Sequence, residues 1–274
     1  MTLSRNAVAG IALTMLALTP AHATTVQFQT VMGDFEVNLF DKKTPETVAN
    51  FLEYVESGAY EDTFIQRSVP NFVVQGGGFS FDLEEDTVKA IPANDPVTNE
   101  PVYSNQRGTI AMAKLGGKPN SATNQWFFNL ADNSKNLDSQ NQGFTVFGQV
   151  TGNGMAIVDA IAKLKFGNFS GDDFLGDFPL ENMPIRNYSQ EDYDDKLAVT
   201  EDHIVLIQNI VVLDASPDTA DGLSPKLTTK SNSGGDGGNS GGGGGGGGSF
   251  GLFGLLALAG ASLFKLKRRV TARV

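Results

Sequence analysis

The chain has 274 residues, with 31 acidic against 20 basic side chains and a formal net charge of −11. Binding to a phosphate backbone draws on clustered Lys and Arg, so this balance excludes a general nucleic-acid binder. Cysteine is absent, which removes disulfides and thiolate metal sites together.

The first 23 residues combine Arg5, an apolar run from Ala7 to Leu18, Pro20 and Ala21-His22-Ala23. That order is the three-part pattern of a secretory signal, with cleavage expected after Ala23, and the apolar run is short for a full membrane span. Residues 24–214 carry mixed apolar and polar sequence without low complexity and are read as one globular domain with a single sizeable core.

Within this domain, Thr25–Val31 and Asp34–Phe40 alternate apolar with polar residues around Met32-Gly33, the pattern of a half-buried hairpin. Thr44–Gly58 then predicts an amphipathic helix, with Thr44 as N-cap, Pro45 in the first turn, Val48, Phe51, Leu52 and Val55 at helical spacing, and Gly58 as the stop. Further strands are predicted at Phe64–Val69, Asn71–Gln75, Gly108–Ala113, Gln125–Asn129, Phe144–Val150 and His203–Leu213, and a second helix at Met155–Leu164. Many short strands with few helices fit a closed antiparallel barrel, and a sandwich gives much the same pattern.

Three stretches are distinctive: Phe64-Ile-Gln-Arg-Ser-Val-Pro-Asn-Phe-Val-Val-Gln-Gly-Gly-Gly-Phe79, Gly108-Thr-Ile-Ala-Met-Ala-Lys114, and Ser121–Phe128 continuing to Phe144-Thr-Val-Phe-Gly148. Together, in order and spacing, they resemble the cyclophilins, peptidyl-prolyl cis/trans isomerases, and look closest to the bacterial periplasmic branch. The resemblance runs from about Val26 to Leu213. It implies a mainly β fold, an eight-stranded closed antiparallel barrel capped by two α-helices, with the substrate groove on the outside. It places the catalytic arginine on Arg67, with Gln75 in the catalytic set. The substrate-binding positions fall on Phe72, Val73, Met112, Ala113, Gln125, Phe127, Leu137 and Phe144. No metal and no cofactor are implied, and the partners are proline-containing unfolded or exported polypeptides.

Three positions depart from the family pattern. Asn136 stands where many eukaryotic members carry tryptophan, Phe144 where they carry a groove histidine, and Lys114 where they carry asparagine after the Met-Ala pair. These changes bear on cyclosporin binding more than on catalysis.

The chemistry also follows from the residues themselves. Rotation about the imide bond before proline meets a barrier of about 18–20 kcal/mol because the C–N bond is partly double. In the twisted state the nitrogen loses conjugation and becomes a better acceptor, so a fixed cationic donor favours that state over the planar one. Arg67 is chemically suited to be that donor, because its guanidinium stays protonated and presents donors in a rigid fork. Gln75 and Gln125 are placed to orient, and Phe72, Met112, Phe127, Leu137 and Phe144 to hold the pyrrolidine ring. The competing expectation is a cyclophilin-fold chaperone or proline-peptide-binding module with little isomerase activity.

Other motifs lead nowhere specific. Gly76-Gly-Gly78 lacks the Lys-Ser/Thr of a phosphate loop and reads as a backbone turn. Asp82–Asp86 and Asp172–Asp195 lack a calcium-loop pattern and read as solvated loops. With only His22 and His203 in the chain, a Ser-His-Asp centre would depend on the final strand. Phe166–Glu201 exceeds the corresponding segment of small bacterial cyclophilins, and the sequence assigns it no role.

Residues 215–249 read as a flexible linker, nearly all Gly, Ser and Asn from Ser231 to Ser249. Residues 250–274 join the apolar run Phe250–Phe264 to Lys265, Lys267, Arg268 and Arg269. As a helix the run spans about 22 Å, less than the roughly 30 Å hydrocarbon core. The order of glycine run, short apolar helix and basic end resembles the GlyGly-CTERM tail of Gram-negative bacteria. That implies processing by a rhomboid-family protease and onward display or secretion; the alternative is a lasting anchor with a cytoplasmic C-terminus. The expected location is the periplasm, tethered to the inner membrane or released after processing.

Overall fold

The computed structural model describes residues 24–171, 175–215 and 223–229. The expected signal, the Gly/Ser run and the apolar tail lie outside them. Among the described residues no helix is long and apolar enough to cross a membrane.

β1 (Thr25–Thr30) and β2 (Phe35–Leu39) form the opening hairpin, with Val26 opposite Val37 and Phe28 opposite Phe35. Gly33 closes its turn at φ +117, a conformation side chains rarely adopt. α1 (Pro45–Glu56) buries Val48, Phe51, Tyr54 and Val55 on one face. Its cap is not the expected one. Thr44 makes no side-chain cap bond, and its hydroxyl turns back to Phe40 O at 3.2 Å. Glu100, from a loop far along the chain, accepts instead from the amides of Glu46 and Thr47 and from Thr47 Oγ1, at 3.3, 2.9 and 2.7 Å. A carboxylate there also meets the positive end of the helix dipole.

β3 (Thr63–Phe64), β4 (Arg67–Val69), β5 (Val73–Gly76), β6 (Phe79–Asp82) and β7 (Thr87–Ala90) follow. β8 (Thr109–Met112), β9 (Trp126–Asn129), α2 (Ser134–Leu137), β10 (Val146–Val150) and α3 (Gly154–Ala162) come next. The chain ends in β11 (Lys165–Gly167), β12 (Met183–Ile185), α4 (Gln190–Asp194) and β13 (Leu206–Asp214). Eleven of the described strands form one sheet in the order β4-β5-β9-β8-β10-β2-β1-β13-β3-β6-β7, while β11 and β12 pair separately. The division is finer than the eight strands and two helices expected. The β6–β7 hairpin is only four residues a side, with Phe79 and Phe81 buried either side of Ser80, and α2 and α4 are four and five residues long; α4 is set by a capping box between Ser189 and Asp192.

β3 and β4 are two parts of one run. β3 pairs with β13 and β4 with β5; between them Ile65 N donates to Val205 O and Gln66 N to Gln75 O, both at 3.1 Å. The run from 63 to 69 therefore leaves one ladder and enters the other without a turn.

Alternation along the strands separates two apolar clusters. The main core gathers Val74, Ile110, Met112, Trp126 and Phe128 with the buried face of α1, and Phe28 meets Trp126 edge to face at 5.2 Å. The opposite strand faces supply Val73, Ala111, Phe127 and Val146 to a second cluster. A third is built by the segment without an assigned role: Phe169, Leu175, Leu180, Met183, Tyr188 and Val199 close over Phe64, Phe79 and Phe81. That segment is a lobe with its own core, bonded to β4 through Ser68 N to Asn182 O at 2.9 Å.

Within the stretch expected to be a linker, residues 223–229 are held on the domain. Tyr103 bridges Leu227, Ser104 N donates to Lys226 O at 2.8 Å and Thr228 N to Val102 O at 3.0 Å. Leu223 packs against the second cluster, which gives this part of the linker apolar area to bury.

Candidate active site

The site is built by strand register. Arg67 of β4 lies opposite Gln75 of β5, Gln75 opposite Phe127 of β9, and Phe127 opposite Ala111 of β8. Residues directly opposite in antiparallel strands share a face, so this one row sets a guanidinium beside an amide and an apolar floor. Val73, two residues before Gln75, joins the same cluster, as do Ala113, Leu137 and Phe144. Phe144 packs edge to face on Phe127 at 5.9 Å, and Phe72 lies half-buried against the group. With Gln125, whose Oε1 accepts from Gln75 Nε2 at 2.8 Å, nine of the ten expected site residues meet on one side of the sheet.

Met112 does not. It lies opposite Trp126 and belongs to the main core, fully buried. The strand period of two sends Ala111 and Ala113 to the groove side and the methionine between them inward. Ala111, opposite Phe127, takes the groove-side place that alternation from Ala113 requires.

The polar side of the row is a chain of side-chain bonds. Arg67 Nη1 donates to Gln75 Oε1 at 3.3 Å, Gln75 Nε2 to Gln125 Oε1 at 2.8 Å, and Gln66 Nε2 to the same Gln125 oxygen at 3.0 Å. Gly78 N donates to Gln66 Oε1 at 3.0 Å. All four side chains are buried. Arg67 Nε is buried without a partner among the described residues, an uncommitted donor at the edge of the apolar floor. Burial lowers the pKa of the Arg67 guanidinium, partly opposed by the Glu181 carboxylate of the lobe. The charged form is under-solvated, so an acceptor brought to it is bound more strongly than in water.

At the rim, buried Lys114 donates to Asn141 O at 3.0 Å and to Gly143 O. Its ammonium lies 4.8 Å from the Phe144 ring centroid. Asn141, Gln142 and Gly143 all have positive φ, at 49°, 63° and 84°. The lysine thereby gathers a tight turn that delivers Phe144 to the floor. Asn136 is half-buried on α2, one residue before Leu137.

A family model for cyclophilin type peptidyl-prolyl cis-trans isomerases matches residues 25–190, more than half the chain. The chain belongs to the cyclophilins. It is 39% identical over 181 residues to peptidyl-prolyl cis-trans isomerase A of Dickeya dadantii (strain 3937), covering 64% of this chain and 87% of that protein. It is 40% identical over 153 residues to a peptidyl-prolyl cis-trans isomerase of Acinetobacter baylyi (strain ATCC 33305 / BD413 / ADP1), covering 54% of this chain and 78% of the relative. Over 168 residues it is 38% identical to peptidyl-prolyl cis-trans isomerase B of Escherichia coli (strain K12), covering 59% and 96%. This cyclophilin is a peptidyl-prolyl cis/trans isomerase, an enzyme whose family binds proline-containing peptides.

Proposed function

We propose that this cyclophilin assists the folding of exported proteins by isomerising their Xaa-Pro bonds in the groove over β4, β5, β9 and β8. The register row from Arg67 through Gln75 and Phe127 carries this reading, because it sets a cationic donor beside an apolar floor. Phe72, Val73, Ala113, Phe127, Leu137 and Phe144 hold the pyrrolidine; Gln125 engages the neighbouring carbonyl; Arg67 favours the pyramidal nitrogen. The planar imide nitrogen accepts poorly and the twisted one well, so the Arg67 contact strengthens on the way to the transition state. Acceleration of 10⁵-fold requires about 7 kcal/mol, which a charge-assisted bond and orientation in a partly dry groove together supply. No covalent step enters.

The run from 63 to 69, paired on one side with β13 and on the other with β5, supports reading eight of these strands as a closed ring. The signal-like residues 1–23 and the tail from 250 support export, with the domain held at a membrane by residues 250–274 until a rhomboid-type protease releases it. Mass spectrometry of the mature protein from membrane and medium tests the tail: retention of Phe250–Phe264 in both fractions overturns release. A protease-coupled assay on an Ala-Pro peptide tests the site. Arg67→Ala in the full chain is expected to lower kcat/KM by roughly 10²–10³-fold, and wild-type rates from this variant would remove Arg67 from its role.

A further inference from the structure

The amide chain beside Arg67 has a direction fixed at both ends. Gly78 N is a backbone donor and the Arg67 guanidinium has no acceptor, so each end can only give a proton. From Gly78 the Gln66 oxygen must face the backbone and its nitrogen must face Gln125. From Arg67 the Gln75 oxygen must face the guanidinium and its nitrogen must also face Gln125. Both runs converge on one atom, Gln125 Oε1, which accepts twice, at 3.0 and 2.8 Å. Gln125 Nε2 is left with no protein acceptor among the described residues.

The two ends are unequal. At 3.3 Å the Arg67–Gln75 bond is the longest of the four, and it is the one an incoming substrate competes for. The Gln66 end is held by backbone, and Gly78 has no room for a side chain there: a Cβ would lie 2.7 Å from Gln66 Oε1 and 2.8 Å from Gln125 Nε2. When Arg67 turns to substrate, Gln66 is what keeps the Gln125 carbonyl facing inward.

Resting on the groove reading above, we propose that Gln66 is a positioning residue for the isomerase reaction, locking Gln125 so that its amide nitrogen is presented as a donor to the substrate carbonyl. Gln66 itself does not touch substrate. Its function is to decide which end of a near-symmetric amide faces the groove, a choice that reverses a hydrogen bond from attraction to repulsion.

The test uses the full chain and an Ala-Pro peptide, with wild type, Arg67→Ala, Gln66→Leu and Gln66→Glu assayed together. Gln66→Leu is expected to lose about tenfold in kcat/KM while the Trp126 fluorescence melting curve still shows a folded domain. Gln66→Glu discriminates further, since a neutral carboxyl offers one donor and one acceptor, as the amide does, whereas a carboxylate offers acceptors only. Its kcat/KM should climb toward the wild-type value as pH falls from about 7 to about 5, a window below the Lys114 titration where wild type stays flat. The charged groups reaching the relay are Arg67, through Gln75, and Glu181, through its field on Arg67; both remain in every Gln66 variant. If Gln66→Leu does not fold, Gln66→Glu decides alone. Wild-type activity in folded Gln66→Leu, or a wild-type pH profile for Gln66→Glu, overturns the proposal. Wild-type activity in Arg67→Ala as well places the failure in the groove reading instead.

Discussion

Two adjacent glycines are expected to fail in different ways when given a methyl group. An alanine Cβ at 78 would lie 2.7 Å from Gln66 Oε1, 2.8 Å from Gln125 Nε2 and 2.9 Å from Gln125 Cδ. Ordinary contact begins near 3.5 Å, so both amides must retreat by roughly 0.6–0.8 Å. A 3.0 Å bond stretched by that much leaves hydrogen-bonding range. The obstructing atoms are ends of flexible side chains and Gly78 is not at positive φ, so the fold tolerates the change. Gly78→Ala should cost only about 1 kcal/mol of stability but lower kcat/KM by roughly 10–100-fold, equivalent to about 1.4–2.7 kcal/mol. Gly77 is different. It sits at φ +81, and a Cβ there meets Asn124 O and Trp126 Nε1, each at 2.6 Å, one a backbone atom and the other in the main core. Left-handed strain and overpacking add, so Gly77→Ala should cost roughly 2–5 kcal/mol. Urea unfolding followed by Trp126, the single tryptophan, together with the protease-coupled assay, separates the two. Undiminished activity in Gly78→Ala, or a stability loss matching that of Gly77→Ala, would refute the reasoning.

Burial pushes Lys114 down to about 8 from its ordinary 10.5. Between those values the unfolded chain keeps a proton the native one has shed, so native stability rises with pH across that window by up to about 3 kcal/mol and is flat in this respect below pH 8. Lys114→Met removes this dependence; if the stability difference between wild type and variant does not change from pH 7 to pH 10 in urea titrations, the burial argument fails. Glu100→Ala strips three bonds from the start of α1 and is expected to lower stability by about 1–2 kcal/mol, read by urea midpoint, with Thr44→Ala costing less. Phe169→Ala empties the centre of the lobe, where the ring is 3% exposed, and should cost about 3–5 kcal/mol; a loss under 1 kcal/mol by the same titration would show the lobe folding independently of β3 and β6.

How much of this was legible in the sequence depended on the range of the interaction. The hairpin, α1, α3 and the long strands were readable because their periodicity is local: Phe28 and Phe35 pair across a short turn, and Val48, Phe51 and Val55 share one face of a helix. Local rules failed where a distant residue won. Thr44 has the chemistry of an N-cap, yet a carboxylate more than fifty residues later, supplying two acceptor oxygens and a full charge, took the position. Met112 has the chemistry of a groove residue, yet its strand parity sent it inward beside Trp126. The lobe over Phe64, Phe79 and Phe81 was unreadable because its apolar residues are spread through an acidic, glycine-rich segment with no period. At the site the limit was of another kind. Arg67, Gln75 and Gln125 were named by resemblance, but resemblance names positions and not directions. That Gln125 turns its oxygen inward follows only from a backbone N–H at Gly78 and a guanidinium at Arg67 converging on it through two other amides. Glutamine read as a letter carries no orientation; the donor-only groups at the two ends supply it.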